Sequence, residues 1–323
     1  MKIGIPRALL YFYYGPFWKS FFENLGCEVV VSKTTNKAIV NQGVKNSVPE
    51  ICVPIKIQVG HFLSLAEKVD FIFIPRMISI RKEQFFCPKF MGLPDMLKHS
   101  LKYPEKVLSC DIETFTDNIC HYKNYLPLTE KLGVSQKAIK EAAEEAEQKW
   151  LNFRKITQLG YPATKAMEYL EQGIRPPKVE FTPGQIRIGL LGYVYNMYDP
   201  YISLGIIERL EECNAHVTTF DMFPEVQLKS MTKDMPKVLF WTFTNRLLET
   251  GYYFFNSGQV DGVIHLTAFG CGPDSFLGKL FELEAEKTGI PFMTIRVDEH
   301  TGENHLVTRV EAFTDMLKRS KAV

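Results

Sequence analysis

The chain has 323 residues, 46% of them hydrophobic, and a formal net charge of +1. This length and apolar content predict a substantial core and two domains rather than one. The near-neutral charge gives no indication of a nucleic-acid partner or of an anionic membrane surface. No apolar run approaches the roughly 18 residues that a membrane span needs, and the first residues, interrupted by Pro6 and Arg7, make a poor signal peptide.

Strands and helices alternate along the first part of the chain. The predicted strands are Lys2–Pro6, Glu28–Ser32, Val69–Pro75 and Lys106–Cys110. The predicted helices are Tyr11–Leu25, Asn36–Gly43, one that begins near Pro54, and one around Leu93–Leu101. The segment that carries Cys87 is predicted to be irregular. This alternation is typical of a parallel sheet with crossover connections.

A helical region follows. The spacing of apolar residues predicts one long helix over Ser135–Leu159 and a second over Ala163–Glu171, before a proline-rich boundary near residues 173–183. We therefore predict an N-terminal α/β lobe at residues 1–126, a helical linker or insert packed across the lobes at 127–183, and a C-terminal α/β lobe at 184–323. A coiled coil is the alternative for the insert, but the apolar pattern does not last several heptads.

The second lobe repeats the plan of the first. Arg187–Asp221 has the same order of strand, aromatic loop, amphipathic helix and β-branched strand as Lys2–Ser32. The dipeptide Val260-Asp261 begins one strand, as Val69-Asp70 begins its counterpart, and a cysteine follows each. The predicted fold class is α/β, with two similar doubly wound parallel-sheet lobes of flavodoxin or Rossmann type and a cleft between them. Ligands of such sheets bind beyond the carboxyl ends of the strands.

The stretch VDGVIHLTAFGCGPDS, residues 260–275, predicts a buried strand, a tight turn that presents Cys271, and a helix over Phe276–Lys287. Gly270 and Gly272 on either side of the cysteine allow the turn. A thiol beside a helix N-terminus is biased toward the thiolate, which is the form that binds metal. A phosphate-binding turn, or a tight turn with an incidental cysteine, is the alternative interpretation.

Cys52, Cys87 and Cys271 all fall on the loop edge of the predicted sheets, where two facing lobes would bring them together. Seven cysteines in such a chain fit a reducing cytoplasm, where thiols serve metal or redox chemistry more often than disulfides. The residues leave open an iron–sulfur centre, incidental thiols, or a zinc site. Zinc would recruit a fourth ligand, for which the candidates are His61, His265, His300 and His305. Cys110 is a possible extra ligand.

Three residues near Cys52 are candidates for catalytic or supporting roles. Lys56 and His61 lie on the helix that follows it, and Lys56 would stabilise negative charge on a reduced cluster. Glu50 precedes it and is a candidate proton donor. A solvated lysine and a plain acid at a helix entry are the alternatives.

The blocks KIGIPRALLYFYYGPFW, PEICVPIKIQVGH, CPKF, GCGPDS and TRVEAF resemble the activase-associated branch of the 2-hydroxyacyl-CoA dehydratase and benzoyl-CoA reductase superfamily. The resemblance covers nearly the whole chain. It implies a [4Fe-4S] cluster between the lobes, held by Cys52, Cys87 and Cys271. It also implies that an ATP-dependent activase delivers an electron for the reduction or dehydration of an acyl-CoA or other small substrate.

The chain contains neither a Walker loop nor a GxGxxG pattern, so ATP would belong to a partner. The expected assembly is a homodimer or a heteromer. The enzyme class stays open between a 2-hydroxyacyl-CoA dehydratase-like lyase, an ATP-dependent reductase component and an electron relay. The alternative function is a two-lobed small-molecule-binding or scaffold protein without a redox centre, or with structural zinc.

Overall fold

The described residues of this computed structural model, 1–230 and 239–321, belong to two units. Unit 1 comprises Met1–Phe153 with Leu239–Thr242, and unit 2 comprises Arg154–Val238 with Phe243–Val323. The division falls inside a long helix, so the predicted lobe boundaries at residues 126 and 184 stay predictions.

Unit 1 contains a parallel sheet of four strands in the order β2-β1-β3-β6. These strands are β1 (Lys2–Ile5), β2 (Glu28–Val31), β3 (Phe71–Phe73) and, later in the chain, β6 (Val107–Leu108). The helices of the unit are α1 (Tyr11–Asn24), α2 (Lys37–Lys45), α3 (Val53–Ala66), α4 (Pro88–Met91), α5 (Leu93–Ser100), α6 (Thr129–Leu132) and the first part of α7 (Gln136–Gln158). The predicted strands and helices of this sheet are confirmed with small changes at their ends.

A second, three-stranded sheet in unit 1 was not predicted. It has the order β5-β4-β7, with β4 (Arg76–Arg81), β5 (Gln84–Phe85) and β7 (Asp111–Glu113). The segment that carries Cys87 was predicted to be irregular, and this prediction is wrong for the residues that form β4 and β5. Arginines at both ends of β4 obscured the strand, but Arg76 pairs with Asp95 and Asp111.

Helices α2 and α3 pack against each other unusually closely. A Cβ added to Gly43 would lie 1.9 Å from the carbonyl oxygen of Lys56, and one added to Gly60 would lie 2.0 Å from that of Ile39. Glycine is therefore required at both contacts, because any side chain would push the backbones apart. Asn36 caps α2 by accepting hydrogen bonds from the N–H groups of Ala38 and Ile39. This crossing fixes the position of α3, whose N-terminus carries Cys52.

Unit 2 contains one parallel sheet of four strands in the order β11-β10-β8-β9. The strands are β8 (Ile186–Leu191), β9 (Ala215–Thr219), β10 (Gly262–Ala268) and β11 (Phe292–Val297). After the end of α7, the helices are α8 (Ala163–Gln172), α9 (Val194–Tyr198), α10 (Pro200–Ser203), α11 (Ile206–Glu212), α12 (Glu225–Ser230), α13 (Thr242–Asn256), α14 (Gly272–Thr288) and α15 (Glu303–Lys321). Helix α14 begins four residues before its predicted start, directly after Cys271.

The two sheets share a topology. In each, the first strand lies between the second and the third, and the fourth lies beside the third. The repeated aspartate makes the same hydrogen bond in both units. The backbone N–H of Lys2 donates to Asp70, and that of Arg187 donates to Asp261; in each case the distance from N to Oδ2 is 2.7 Å. The predicted α/β class with two similar parallel-sheet lobes is confirmed.

No helix in the described part of the chain combines the length and the apolar character needed to cross a membrane.

Candidate metal centre

The three cysteines singled out by sequence occupy the same local position, the N-cap of a helix. Cys52 caps α3, Cys87 caps α4 and Cys271 caps α14. A proline in the first turn follows each of them, which suits a helix start because proline has no N–H to leave unpaired. All three cysteines are half-buried, and no disulfide joins any of the seven cysteines.

Unit 1 brings Cys52 and Cys87 within electrostatic reach of each other and of Lys89. Burial is the largest influence on the pKa of the Cys52 thiol and raises it. The Lys89 ammonium and the backbone N–H of Ile55 oppose this effect and lower the pKa, whereas charge on Cys87 raises it. Two thiols and one ammonium group therefore meet at the starts of α3 and α4.

Unit 2 holds Cys271 by tying the first turn of its helix to the sheet. Asp274 lies in that turn, and its Oδ1 is 3.0 Å from Nε2 of His265 on β10. Both side chains are fully buried. Gly270, with φ of +77°, makes the turn that precedes the cysteine. The pair fixes where α14 starts, and Cys271 with it.

Cys52 and Cys87 belong to unit 1 and Cys271 to unit 2, so the predicted set of three ligands stays a prediction. Over residues 1–230 and 239–321, no group of three or more His, Cys, Asp or Glu side chains is placed to hold a metal ion. Unit 1 by itself brings two of the three predicted ligands, Cys52 and Cys87, close to each other.

His61 is buried and contacts two hydroxyl groups of unit 1. Its Nδ1 lies 2.8 Å from the Ser32 hydroxyl and its Nε2 lies 2.9 Å from that of Thr35, so both ring nitrogens are engaged. Burial, with a smaller contribution from the positive charge of Arg7, lowers the pKa of His61 to about 4. The imidazole is therefore neutral near pH 7 and joins α3 to the chain after β2.

The other predicted site residues have different surroundings. Lys56 is only 3% exposed, so it is not the solvated lysine of the alternative interpretation. Glu50 is exposed. Cys110 is buried between β6 and β7, and burial raises the pKa of its thiol above the ordinary value. Burial is the largest influence on the pKa of the nearby Tyr125 phenol and raises it, and the proximity of Cys110 and Cys120 adds to this increase. The role of Cys110 as an extra ligand and those of Glu50 and Lys56 in catalysis stay predictions.

Sequence reasoning missed Lys89 and Asp274. Lys89 follows Cys87 by two residues, in the CPKF block that carried the resemblance, and Asp274 follows Cys271 by three. Both lie in the first turn of a helix that a cysteine caps, so their side chains lie near that cysteine. A search of each first turn for charged side chains would have found them.

These features define an α/β protein with two topologically matching parallel sheets and cysteines that cap helices. A family model described as the CoA enzyme activase uncharacterised domain matches residues 2–223, and one described as the 2-hydroxyglutaryl-CoA dehydratase D-component matches residues 135–317. Each match covers more than half of the chain, so the protein belongs to the 2-hydroxyacyl-CoA dehydratase and activase-associated superfamily. The resemblance read from the cysteine blocks is confirmed. A comparison with curated proteins finds no match.

Proposed function

We propose that this protein is the cluster-bearing component of an ATP-activated dehydratase or reductase that acts on an acyl-CoA or another small substrate. In this proposal Cys52, Cys87 and Cys271 hold a [4Fe-4S] cluster. The observation that supports it most directly is the meeting of Cys52, Cys87 and Lys89 at two helix starts of one unit. The family matches support the dehydratase-component role.

The residues at this position fit such a cluster. Thiolates are the usual ligands of iron–sulfur centres, and hydrogen bonds to their sulfur atoms tune the reduction potential. The N–H of Ile55 and the ammonium of Lys89 both stabilise negative charge on Cys52. When bound, the cluster would supply one-electron chemistry at low potential and an iron able to bind a substrate oxygen. The chain would supply the thiolates and the positive charge that limits the cost of adding an electron.

The energy source belongs to a partner in this proposal. The sequence has no Walker loop or dinucleotide-binding pattern, and one of its two family matches is to a domain associated with CoA enzyme activases. We therefore propose an ATP-dependent activase as the electron donor and a heteromeric or homodimeric assembly.

Anaerobic purification followed by iron, sulfide and EPR analysis tests the proposal. We expect a brown protein with roughly four iron atoms per chain, whose EPR spectrum changes when a cognate activase and ATP are added. A protein that stays colourless and free of iron after anaerobic reconstitution would refute it. Elemental analysis that finds zinc instead would favour the structural-zinc alternative.

Matched cysteine variants locate the ligands. Cys52→Ala, Cys87→Ala and Cys271→Ala should each lower the iron content sharply. Cys213→Ala removes another half-buried thiol of unit 2 and should leave the iron content unchanged. Full iron binding by Cys271→Ala would show that unit 1 binds the metal without unit 2.

A further inference from the structure

Unit 2 contains an open cavity of about 200 Å³ beside the edge strand β9 of its sheet. Strand β9, helix α11 and the chain between α8 and β8 all contribute to its lining. None of its lining residues belongs to α3, α4 or α14, the helices that the cysteines cap. The cavity is therefore separate from the candidate metal centre.

Most of the cavity lining is apolar. Ile207, Val217 and Met222 contribute hydrocarbon and thioether surface. An apolar pocket with a few polar groups is the usual form of a small-molecule site. Because a cavity of about 150 Å³ accommodates benzene, this one has room for a ligand of roughly eight non-hydrogen atoms.

Two carboxylates, those of Glu180 and Glu211, line the same cavity. Across the two described ranges, 1–230 and 239–321, neither of them forms an ion pair. Burial is the largest influence on the pKa of Glu211 and raises it, and the negative charge of Glu208 adds to the increase. A positive charge beside Glu211 would stabilise its ionised form. The two carboxylates therefore complement a cationic head group.

Two aromatic rings adjoin these carboxylates. Burial lowers the pKa of the cavity residue His216, so its imidazole is neutral near pH 7 and does not repel a cation. Its ring contacts that of Phe181 edge to face, with the centroids 6.0 Å apart. Phe181 is 44% exposed, and the face of an aromatic ring attracts organic cations. Both the charge and the rings thus favour an organic ammonium group.

We propose that this cavity binds a small primary amine in its protonated form. The ammonium group lies beside Glu180 and Glu211, which are exposed, so it stays near the solvent. The hydrocarbon body packs against Ile207, Val217 and Met222. The inference does not depend on the proposed function, because no cysteine lines this cavity.

Isothermal titration calorimetry of the purified full-length protein tests the inference with benzylamine, whose size matches the cavity. Benzyl alcohol and benzoate have nearly the same shape, with a neutral and a negative head group. We expect benzylamine to bind about tenfold more tightly than benzyl alcohol, and benzoate to bind most weakly because the carboxylates repel it. Equal affinity for benzylamine and benzyl alcohol, or no detectable binding of benzylamine, would overturn the inference.

Matched variants locate the site. Glu180→Gln and Glu211→Gln should each weaken benzylamine about threefold to fivefold without changing the affinity for benzyl alcohol. Glu212→Gln removes an exposed carboxylate of the same helix outside the cavity and should keep the wild-type affinity. Val217→Phe fills the cavity and should weaken both ligands more than about tenfold, whereas Val226→Phe, at an exposed position of unit 2, should not.

Thermal unfolding of each variant checks that it folds. If both glutamine variants bind benzylamine as wild type does, or if a folded Val217→Phe binds it fully, the inference is wrong. Iron analysis of the same preparations tests the proposed function separately. A protein that binds iron but shows no preference for the amine would refute this inference alone, and one that stays free of iron after reconstitution but prefers the amine would support it.

Discussion

Acidification should destabilise unit 1 through His61. The pKa of this histidine is lowered from 6.5 to about 4 by burial and by Arg7, so the unfolded chain binds more protons than the folded one between these two values. The stability contribution is therefore present above the ordinary pKa and is lost as the pH falls through this window. At pH 5 the unfolded imidazole is almost fully protonated while the folded one stays mostly neutral, which costs about 2 kcal/mol relative to pH 7.5.

Urea unfolding monitored by tryptophan fluorescence measures this loss in the correct unit, because Trp18, Trp150 and Trp241 all lie in unit 1. The wild-type free energy of unfolding should fall between pH 7.5 and pH 5 by about 2 kcal/mol more than that of His61→Gln, which cannot titrate. His99→Gln removes an exposed imidazole of the same unit and should keep the wild-type pH dependence. If wild type and His61→Gln lose the same stability over this range, the buried neutral imidazole is not the cause.

Two further substitutions test the packing of unit 1. Gly43→Ala should lower the free energy of unfolding by about 3 kcal/mol or more, because its Cβ would overlap the Lys56 carbonyl oxygen. Gly302→Ala, in unit 2, meets open space and should change stability by less than about 0.5 kcal/mol. Equal effects of the two substitutions in urea titrations followed by circular dichroism, which reports both units, would contradict the close helix crossing. Trp150→Phe removes the 2.9 Å hydrogen bond that its indole N–H donates to the carbonyl of Tyr13, and circular dichroism should show a loss of about 1–2 kcal/mol. If Trp150→Phe unfolds at the same urea concentration as wild type, water replaces this hydrogen bond without loss of stability.

The repeated architecture was predictable because short stretches of sequence indicate it in each half of the chain. The β-branched and apolar runs that begin at Lys2 and Arg187 form the first strands of matching sheets, and the repeated Val-Asp dipeptide places its aspartate against each of them. The apolar pattern of a buried strand can be recognised from the strand's own residues.

What was missed depends on contacts between distant segments. Strand β4 is stabilised by its neighbours β5 and β7 and by the partners of Arg76, none of which is visible in its own six residues. Sequence alone placed Cys52 and Cys87 on the same edge, but it could not place Lys89 beside Cys52, because that contact joins helices α3 and α4. His61 became a candidate because it follows Cys52 on the same helix, and its catalytic role stays a prediction. Its two hydroxyl partners come from the loop after β2, so the sequence of its own helix does not reveal them.

The aspartate contact at the beginning of each central strand has a consequence for how such a chain can change over evolution. Asp70 and Asp261 anchor the amino-terminal margin of their sheets, at the end opposite the cysteines. Because loops tolerate insertions better than the strands they connect, new side chains are most easily added at the opposite edge, where the loops that carry the cysteines lie.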